Sequence, residues 1–381
     1  MQIFENDETV SAIYQRALSL TISKEFAEYY CGKVSISTHQ DSEQSNRRRE
    51  LLAVEKKTHE NKVIEEHGKN HFRTQVTNKF FERITTKINT EFDNQESLYT
   101  NVLHIEDDAP AILEILSVKA ASINRITPLV SSLPWLTSEL IHIVNKPQYK
   151  KRADVQVTKI NLALSYIGLD NLKLLVPTFI LKHWLPTSTA SYPLMKRKLW
   201  NDSLSIALAS KVLAEKMGLD GFTAFTAGML SNTGNLAVAR CIFNNYNEMH
   251  KAELRKAYEA RDKRLHEVYV QMQLAPELLL EQLSSRSSKI AAELAELMRF
   301  DRLPITECLF DLAYVQDIKK MHPIAQVIIK AKAYVTFRSL GKEDLIDADE
   351  TKALFSQALL TTADIALLKK SDIDHIKLNF Q

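Results

Sequence analysis

The residues of this chain that could carry chemistry are few and scattered. His67 and His71 lie four residues apart, a spacing that would place both imidazoles on one face of a helix, where they could share a metal ion. No carboxylate or third ligand is placed to complete that set, so we interpret both as exposed histidines. His250 and His266 lie in strongly charged stretches, and His322 precedes a proline as at a helix boundary. None of these histidines lies in a recognisable metal motif.

The cysteines and the short sequence motifs indicate no nucleophilic enzyme. Cys31, Cys241 and Cys308 are far apart, which fits neither a disulfide framework nor a metal knuckle and favours a reducing compartment. Cys241 follows an apolar run and is interpreted as a core residue rather than a nucleophile. The chain has no GxSxG elbow, no GxxxxGK[ST] loop and no GxGxxG turn.

Charge and hydropathy predict a soluble protein of the cytoplasm. The 49 basic and 47 acidic residues give a formal net charge of +2, so no global field favours nucleic acid or a membrane surface as the partner. The basic triplet 47–49 is too short to change this expectation. The N-terminus lacks the pattern of a signal peptide, and 18 consecutive apolar residues occur nowhere.

The periodicity of apolar residues predicts an all-α protein. With only 8 glycines in 381 residues, folds with many tight turns are disfavoured. A proline-free stretch with one glycine, residues 47–92, predicts one long helix, and its apolar stripe should be buried on the rest of the chain or against a second copy. We expect residues 1–99 to form an N-terminal helical region and residues 100–381 a separate domain, joined near IEDDAP. The stripe consists of Phe72, Val76, Phe80, Ile84, Ile88 and Phe92.

Local signals predict a succession of short helices after residue 105. Pro134 suits the first turn of a helix, Gly168 the end of one, and Asp170 the cap of the next. The stretch GMLSNTGN, residues 228–235, predicts a helix end, a tight turn at Gly234 and a new helix. The expected architecture is a multi-helix globular array with an N-terminal helical extension.

From about residue 105 to residue 340, the order of these stretches resembles the HDOD domain, an all-helical offshoot of the HD phosphohydrolases found in bacterial signalling proteins. No single element is diagnostic; the ordered set carries the resemblance. The matching stretches are SINRITPLVSSLPWLTSELIHIVN, VTKINLALSYIGLDNLKLLV, LWNDSLSIALAS, AGMLSNTGN, SSRSSKIAAELAE and IIKAKAYV.

The resemblance also implies where the metal ligands of an HD hydrolase would stand, and this chain has other residues there. Asp202 replaces the first histidine, Ser231 and Asn232 replace the His-Asp pair, Ser287 replaces a further histidine, and Lys332 replaces the last carboxylate. Neutral hydroxyl and amide groups bind divalent metals weakly and an ammonium repels them, so we expect no metal, no cofactor and no catalysis. A polar cap at a helix junction explains Ser231 and Asn232 without any ligand.

The resemblance and the missing ligands together predict a non-catalytic bacterial signalling module that acts by binding other proteins. The N-terminal region, including Phe72, Val76, Phe80 and Ile84, is expected to contribute to assembly, and association with a second copy is left open. The alternative is a divergent metal-dependent phosphohydrolase or a nucleotide-binding protein that uses the same cleft. Nucleic-acid binding by residues 47–79 is the least favoured interpretation.

Overall fold

The computed structural model describes residues 7–32, 53–149, 156–187 and 189–378, with the backbone alone for 53–68. Within these ranges the regular structure is helical and no strand occurs. The prediction of an all-α protein is therefore confirmed.

The first half of the chain begins with α1, whose N-terminus is capped by the Asp7 carboxylate through the backbone N–H groups of Thr9 and Val10. Ser23 then ends α1 and caps the following helix by accepting a hydrogen bond from Phe26 N. The helices are α1 (Glu8–Ile22), α2 (Lys24–Tyr30), α3 (Ala53–Phe92), α4 (Gln95–Ser97) continued by a π-helical turn (Leu98–Val102), α5 (Asp108–Ser117), α6 (Ile123–Ser131), α7 (Pro134–Val144), α8 (Ile160–Ile167) and α9 (Leu169–Trp184).

The second half contains the longest buried helices, which pack around one another at the centre of the molecule. The helix pairs α10 with α11, α12 with α14, and α10 with α16 form its main contacts. These helices are α10 (Met195–Lys216), α11 (Gly221–Leu230), α12 (Thr233–Glu259), α13 (Lys263–Gln271), α14 (Pro276–Leu297), α15 (Ile305–Tyr314), α16 (Pro323–Gly341), α17 (Ala348–Gln357) and α18 (Thr362–Lys370).

The N-terminal helix α1 packs directly on these later helices. It contacts α14, α16, α17 and α10, and its residues Val10 and Ile13 are fully buried. The Arg16 guanidinium forms a two-pronged ion pair with the Glu350 carboxylate at 2.8 and 2.9 Å and also donates to Leu345 O. The division near residue 100 stays a prediction, but α1 belongs to the same packed core as the later helices.

The apolar stripe of α3 lies against α12 and α13. Phe80 and Ile84 are buried, whereas Phe72 and Val76 are only partly covered. The Phe80 ring meets Tyr246 and Tyr269 edge-on, with ring centroids 5.9 and 5.8 Å apart. Of the two predicted ways to bury the stripe, contact with the same chain is the one observed. Phe80 and Ile84 are therefore covered by helices of the same chain, and a role of the stripe in assembly stays a prediction.

Two of the three local boundary predictions hold. Pro134 is the first residue of α7, and Gly168 ends α8 with φ of 76°, the left-handed region that favours glycine. Asp170, however, does not cap α9, because α9 already begins at Leu169 and Gly168 is its N-cap. The two helices follow each other too closely to leave Asp170 outside the first turn.

The junction between α11 and α12 differs from its prediction. The turn is formed by Ser231 and Asn232, and Gly234 lies inside the first turn of α12. A Cβ atom on Gly234 would stand 1.7 Å from the main-chain oxygen of Ser287 on α14. Close approach of two helices, rather than a turn, is therefore what requires glycine here.

Candidate functional site

A cavity of about 850 Å³ opens between α1, α10, α14 and α16 at the α11–α12 junction. It brings together all five positions that the sequence analysis singled out, although they are spread over 131 residues of chain. We call this space the central cavity. Its lining includes Asp202, Ser231, Asn232, Ser287 and Lys332.

Ser231 and Asn232 are buried at the junction and are already engaged by the protein. The Ser231 hydroxyl donates to Gly228 O at 2.8 Å, and the Asn232 amide donates to the Ser203 hydroxyl at 3.1 Å. Asn232 is the N-cap of α12 but makes no side-chain cap hydrogen bond. The capping role expected from sequence therefore applies to Ser231, which satisfies a carbonyl of α11, and not to Asn232.

Asp202 is the one carboxylate among the five positions. It lies on α10, and its two oxygens accept long hydrogen bonds of 3.5 Å from Thr21 on α1 and Ser339 on α16. Burial raises the pKa of this carboxyl to about 6, with the nearby Lys198 ammonium opposing the rise. Asp202 thus joins three helices at the cavity wall.

Lys332 reaches the junction from α16. Its ammonium donates to Ser231 O at 3.2 Å, and burial lowers its pKa to about 8. Within the described ranges, no carboxylate forms a salt bridge with Lys332. The cavity therefore contains a cation whose charge no neighbouring side chain neutralises.

Ser287 completes the set from α14. The residue is 7 % exposed, and its hydroxyl has no hydrogen-bond partner among the described residues. Its main-chain oxygen is the atom that Gly234 approaches. A buried polar group without a partner is rare in folded proteins and calls for an explanation.

Sequence reasoning missed the residues that the ends of the chain bring to the cavity. Arg338 pairs with the Asp374 carboxylate and donates to the Ser205 hydroxyl at 3.1 Å. Tyr14 and Thr21 of α1 also line the cavity. These residues lie in no shared motif, so no local signal could have grouped them.

The other candidate groups lie elsewhere and have structural partners. His71 contacts Gln75 at 3.0 Å, and the side chain of His67 lies outside the described residues. His250 pairs with Tyr269 O at 2.7 Å, and the His322 ring contacts the buried Cys308 thiol at 3.2 Å. Among the described residues, no three histidine, cysteine or acidic side chains form a group that could hold a metal ion.

The donor set at the central cavity does not fit the divalent metal of an HD hydrolase. Asp202 is a single carboxylate that already joins α1 to α16. The Asn232 amide is turned toward Ser203, and Lys332 contributes a positive charge next to Ser231. Imidazole nitrogens and several carboxylates are the ligands that hold such ions, and this set offers neither.

Comparison with known proteins agrees with the family suggested by the sequence. Residues 104–279 match the family model of the HDOD domain. The chain therefore carries an HDOD domain over these residues. No curated protein matches the chain significantly.

Three solved structures are similar at 17 % sequence identity. A Shewanella amazonensis SB2B protein, classed by its name with the phosphohydrolases, covers 74 % of this chain and 92 % of its own, with a TM-score of 0.45. A second protein of that organism, classed by its name with the metal-dependent phosphohydrolases, covers 72 % and 93 % with a TM-score of 0.40. An HDOD domain protein from Geobacter sulfurreducens covers 74 % and 98 %, also with a TM-score of 0.40.

No single helix of the described residues is both long and apolar enough to cross a membrane. Only α8 and α9 taken together have the length and composition, and they are bent by 113° where they meet.

Proposed function

We propose that this chain is a non-catalytic regulatory module of bacterial signal transduction that acts by binding other proteins. The observation that carries the proposal is the donor set of the central cavity, which is lined by Ser231, Asn232, Ser287 and Lys332, the residues that the resemblance assigns to the positions of metal ligands. A phosphohydrolase of this class uses its metal to polarise the phosphate and to lower the pKa of the attacking water. With one carboxylate and one ammonium among the five positions, no group is placed to bind the metal that both tasks need.

Metal analysis and turnover assays test the catalytic half of the proposal. The full chain, purified without chelator, should carry no stoichiometric manganese, iron, magnesium or zinc. It should also show no turnover of generic phosphodiesters, nucleotides or cyclic dinucleotides with any added divalent ion. Metal-dependent turnover that disappears in Asp202→Ala would overturn the proposal in favour of a divergent phosphohydrolase.

Partner capture tests the interaction half. Affinity capture of the full chain from the cytoplasm of its native cell should yield a protein that then binds the purified chain in a defined stoichiometry. Asp202→Asn should bind the same partner equally well, because the proposed role needs no catalytic carboxylate. If no captured protein binds the purified chain directly, the adaptor role is rejected.

The nucleotide-binding alternative has one specific observation in its favour: the central cavity is large and its charged lining is mainly basic. The basic side chains are Arg197, Lys198, Lys332, Arg338 and Lys342, and the acidic ones are Asp202, Glu343 and Asp374. Binding without catalysis is compatible with a regulatory role.

A further inference from the structure

The central cavity has an unsatisfied polar floor, formed by Lys332, Ser287 and the first turn of α12. Asn232 and Asn235 place that helix end at the cavity wall, and Lys332 lies 3.2 Å from the carbonyl two residues before Thr233. The contact between Gly234 and the Ser287 main chain fixes α14 against the same turn. Lys332, Ser287 and the start of α12 therefore lie next to one another at the cavity wall, and we call this region the cavity floor.

Each part of the cavity floor has donor capacity that the protein does not use. The Lys332 ammonium has three N–H donors and makes one hydrogen bond. The Ser287 hydroxyl makes none. The first backbone N–H groups of a helix have no partner within the helix, and Asn232 does not cap them with its side chain.

The charges around the cavity favour an anion as the missing acceptor. Of its three acidic residues, Asp374 is paired with Arg338, Glu343 is paired with Lys24 at 2.7 Å, and Asp202 accepts hydrogen bonds from Thr21 and Ser339. The helix dipole of α12, a helix of 27 residues, adds partial positive charge at its N-terminus. Lys332 is left without a counter-ion next to this helix end.

We propose that the cavity floor binds the phosphate group of a small phosphorylated molecule, without a metal ion, through Lys332, the Ser287 hydroxyl and the first turn of α12. A phosphate offers several acceptor oxygens in a tetrahedral arrangement, which suits donors that converge from three helices, and helix N-termini are common phosphate sites. The volume of about 850 Å³ leaves room for an organic part of nucleotide size.

A phosphorylated ligand bound at this site would be the signal that the proposed regulatory module responds to. The inference rests on the proposed function, because it treats the cavity as non-catalytic. Its ligand would lie under α1, which covers the cavity with Tyr14, Leu18 and Thr21. Ligand binding at the cavity floor would therefore change the contacts of the N-terminal helix α1 as well as those of the central helices.

The test measures phosphate binding by the full chain in the presence of chelator. Inorganic phosphate, compared with chloride at equal ionic strength, should raise the thermal midpoint and give a saturable isotherm in calorimetry. Lys332→Met should weaken the affinity about tenfold or more, as expected for a charged hydrogen bond. Ser287→Ala should weaken it severalfold. Lys211→Met, on α10 outside the cavity, is the matched control and should change nothing.

A second arm asks whether phosphate is the recognised group. A nucleoside monophosphate should bind and its nucleoside should not. Equal phosphate affinity in the wild type and in Ser287→Ala, which removes one unpaired hydroxyl and should fold normally, would overturn the inference. So would the absence of any phosphate isotherm. Metal-dependent turnover would instead overturn the proposed function, so the two failures are distinguishable.

Discussion

The middle of α12 and its N-terminal end differ in how completely their polar groups are hydrogen-bonded. In the middle of the helix, the Tyr246 hydroxyl donates to Met272 O at 2.9 Å and the Asn245 amide donates to the Glu91 carboxylate at 2.8 Å. At the N-terminal end, Asn232 does not cap the helix and the adjacent Ser287 hydroxyl has no partner. Packing and stability account for the first region, whereas the second retains polar groups that stability alone does not explain.

The largest loss of stability is expected where the apolar stripe of α3 packs against α12 and α13, a contact that we call the α3 seam. Phe80→Ala deletes a buried ring between Tyr246 and Tyr269 and should cost about 3–5 kcal/mol in the free energy of unfolding. Urea denaturation monitored by circular dichroism measures it.

Phe72→Ala is the control for that seam. Phe72 is only partly covered and lies 4.2 Å from the Arg264 guanidinium carbon, measured to the ring centroid, so its loss should cost about 1 kcal/mol. Equal losses for the two variants would mean that the stripe is not buried in the way described.

At the N-terminal end of α12, Gly234→Ala should cost about 2–3 kcal/mol, because the new methyl group meets the Ser287 main chain, which cannot move aside as a side chain could. Gly341→Ala is the matched control, since a Cβ atom there meets nothing within 4 Å. Denaturant unfolding of both variants compares them. A Gly234→Ala protein as stable as Gly341→Ala would contradict the close approach of α12 and α14.

The contributions of two buried carboxyls, Asp202 and Asp364, to the free energy of unfolding should depend on pH with opposite signs. Burial raises the pKa of Asp202 from 3.8 to about 6, so the folded state holds this proton more tightly than the unfolded state and stability falls as pH rises through that interval. Asp202→Asn should therefore be more stable than the wild type by about 1–2 kcal/mol at neutral pH and nearly equal to it at about pH 4.

Asp364 provides the contrast. Burial acts to raise its pKa, but hydrogen bonds from Lys216, from the Thr361 backbone and from Lys330 bring it down to about 2 from 3.8. The stability it contributes is present above pH 3.8 and is lost as pH falls toward 2, so Asp364→Asn should cost about 2 kcal/mol at neutral pH. Urea unfolding at several pH values measures the difference in unfolding free energy between each asparagine variant and the wild type. If both variants were stabilised, or both destabilised, at neutral pH, the opposite pKa shifts of Asp202 and Asp364 would be refuted.

The smallest effect is expected for the unpaired hydroxyl. Ser287→Ala should change the free energy of unfolding by less than about 1 kcal/mol, because no hydrogen bond is lost. Ser203→Ala should cost about 1–2 kcal/mol, since Ser203 donates to Leu199 O at 2.7 Å and accepts from Asn232. Thermal or urea unfolding in phosphate-free buffer compares the two. A large loss for Ser287→Ala would assign that residue a structural role instead.

Local patterns were sufficient for the class of fold. The spacing of apolar residues, the proline at the start of α7 and the glycine at the end of α8 act within one or two turns, so each can be recognised without knowing the neighbours. The same locality explains the errors at Asp170 and Gly234. In both cases a residue with a common local role was placed by its surroundings in a different one.

The sequence by itself determined that this protein is helical and that it resembles HDOD domains, and the resemblance predicted an aspartate, two serines, an asparagine and a lysine at the positions of HD ligands. Only the tertiary structure decided that these residues share one cavity, that Ser287 lacks a partner while Ser231 has one, and that α1 closes over them. Contacts such as that between Lys332 and Ser231 join residues a hundred positions apart. They arise from how helices pack, which depends on shape complementarity across the whole core rather than on any local pattern.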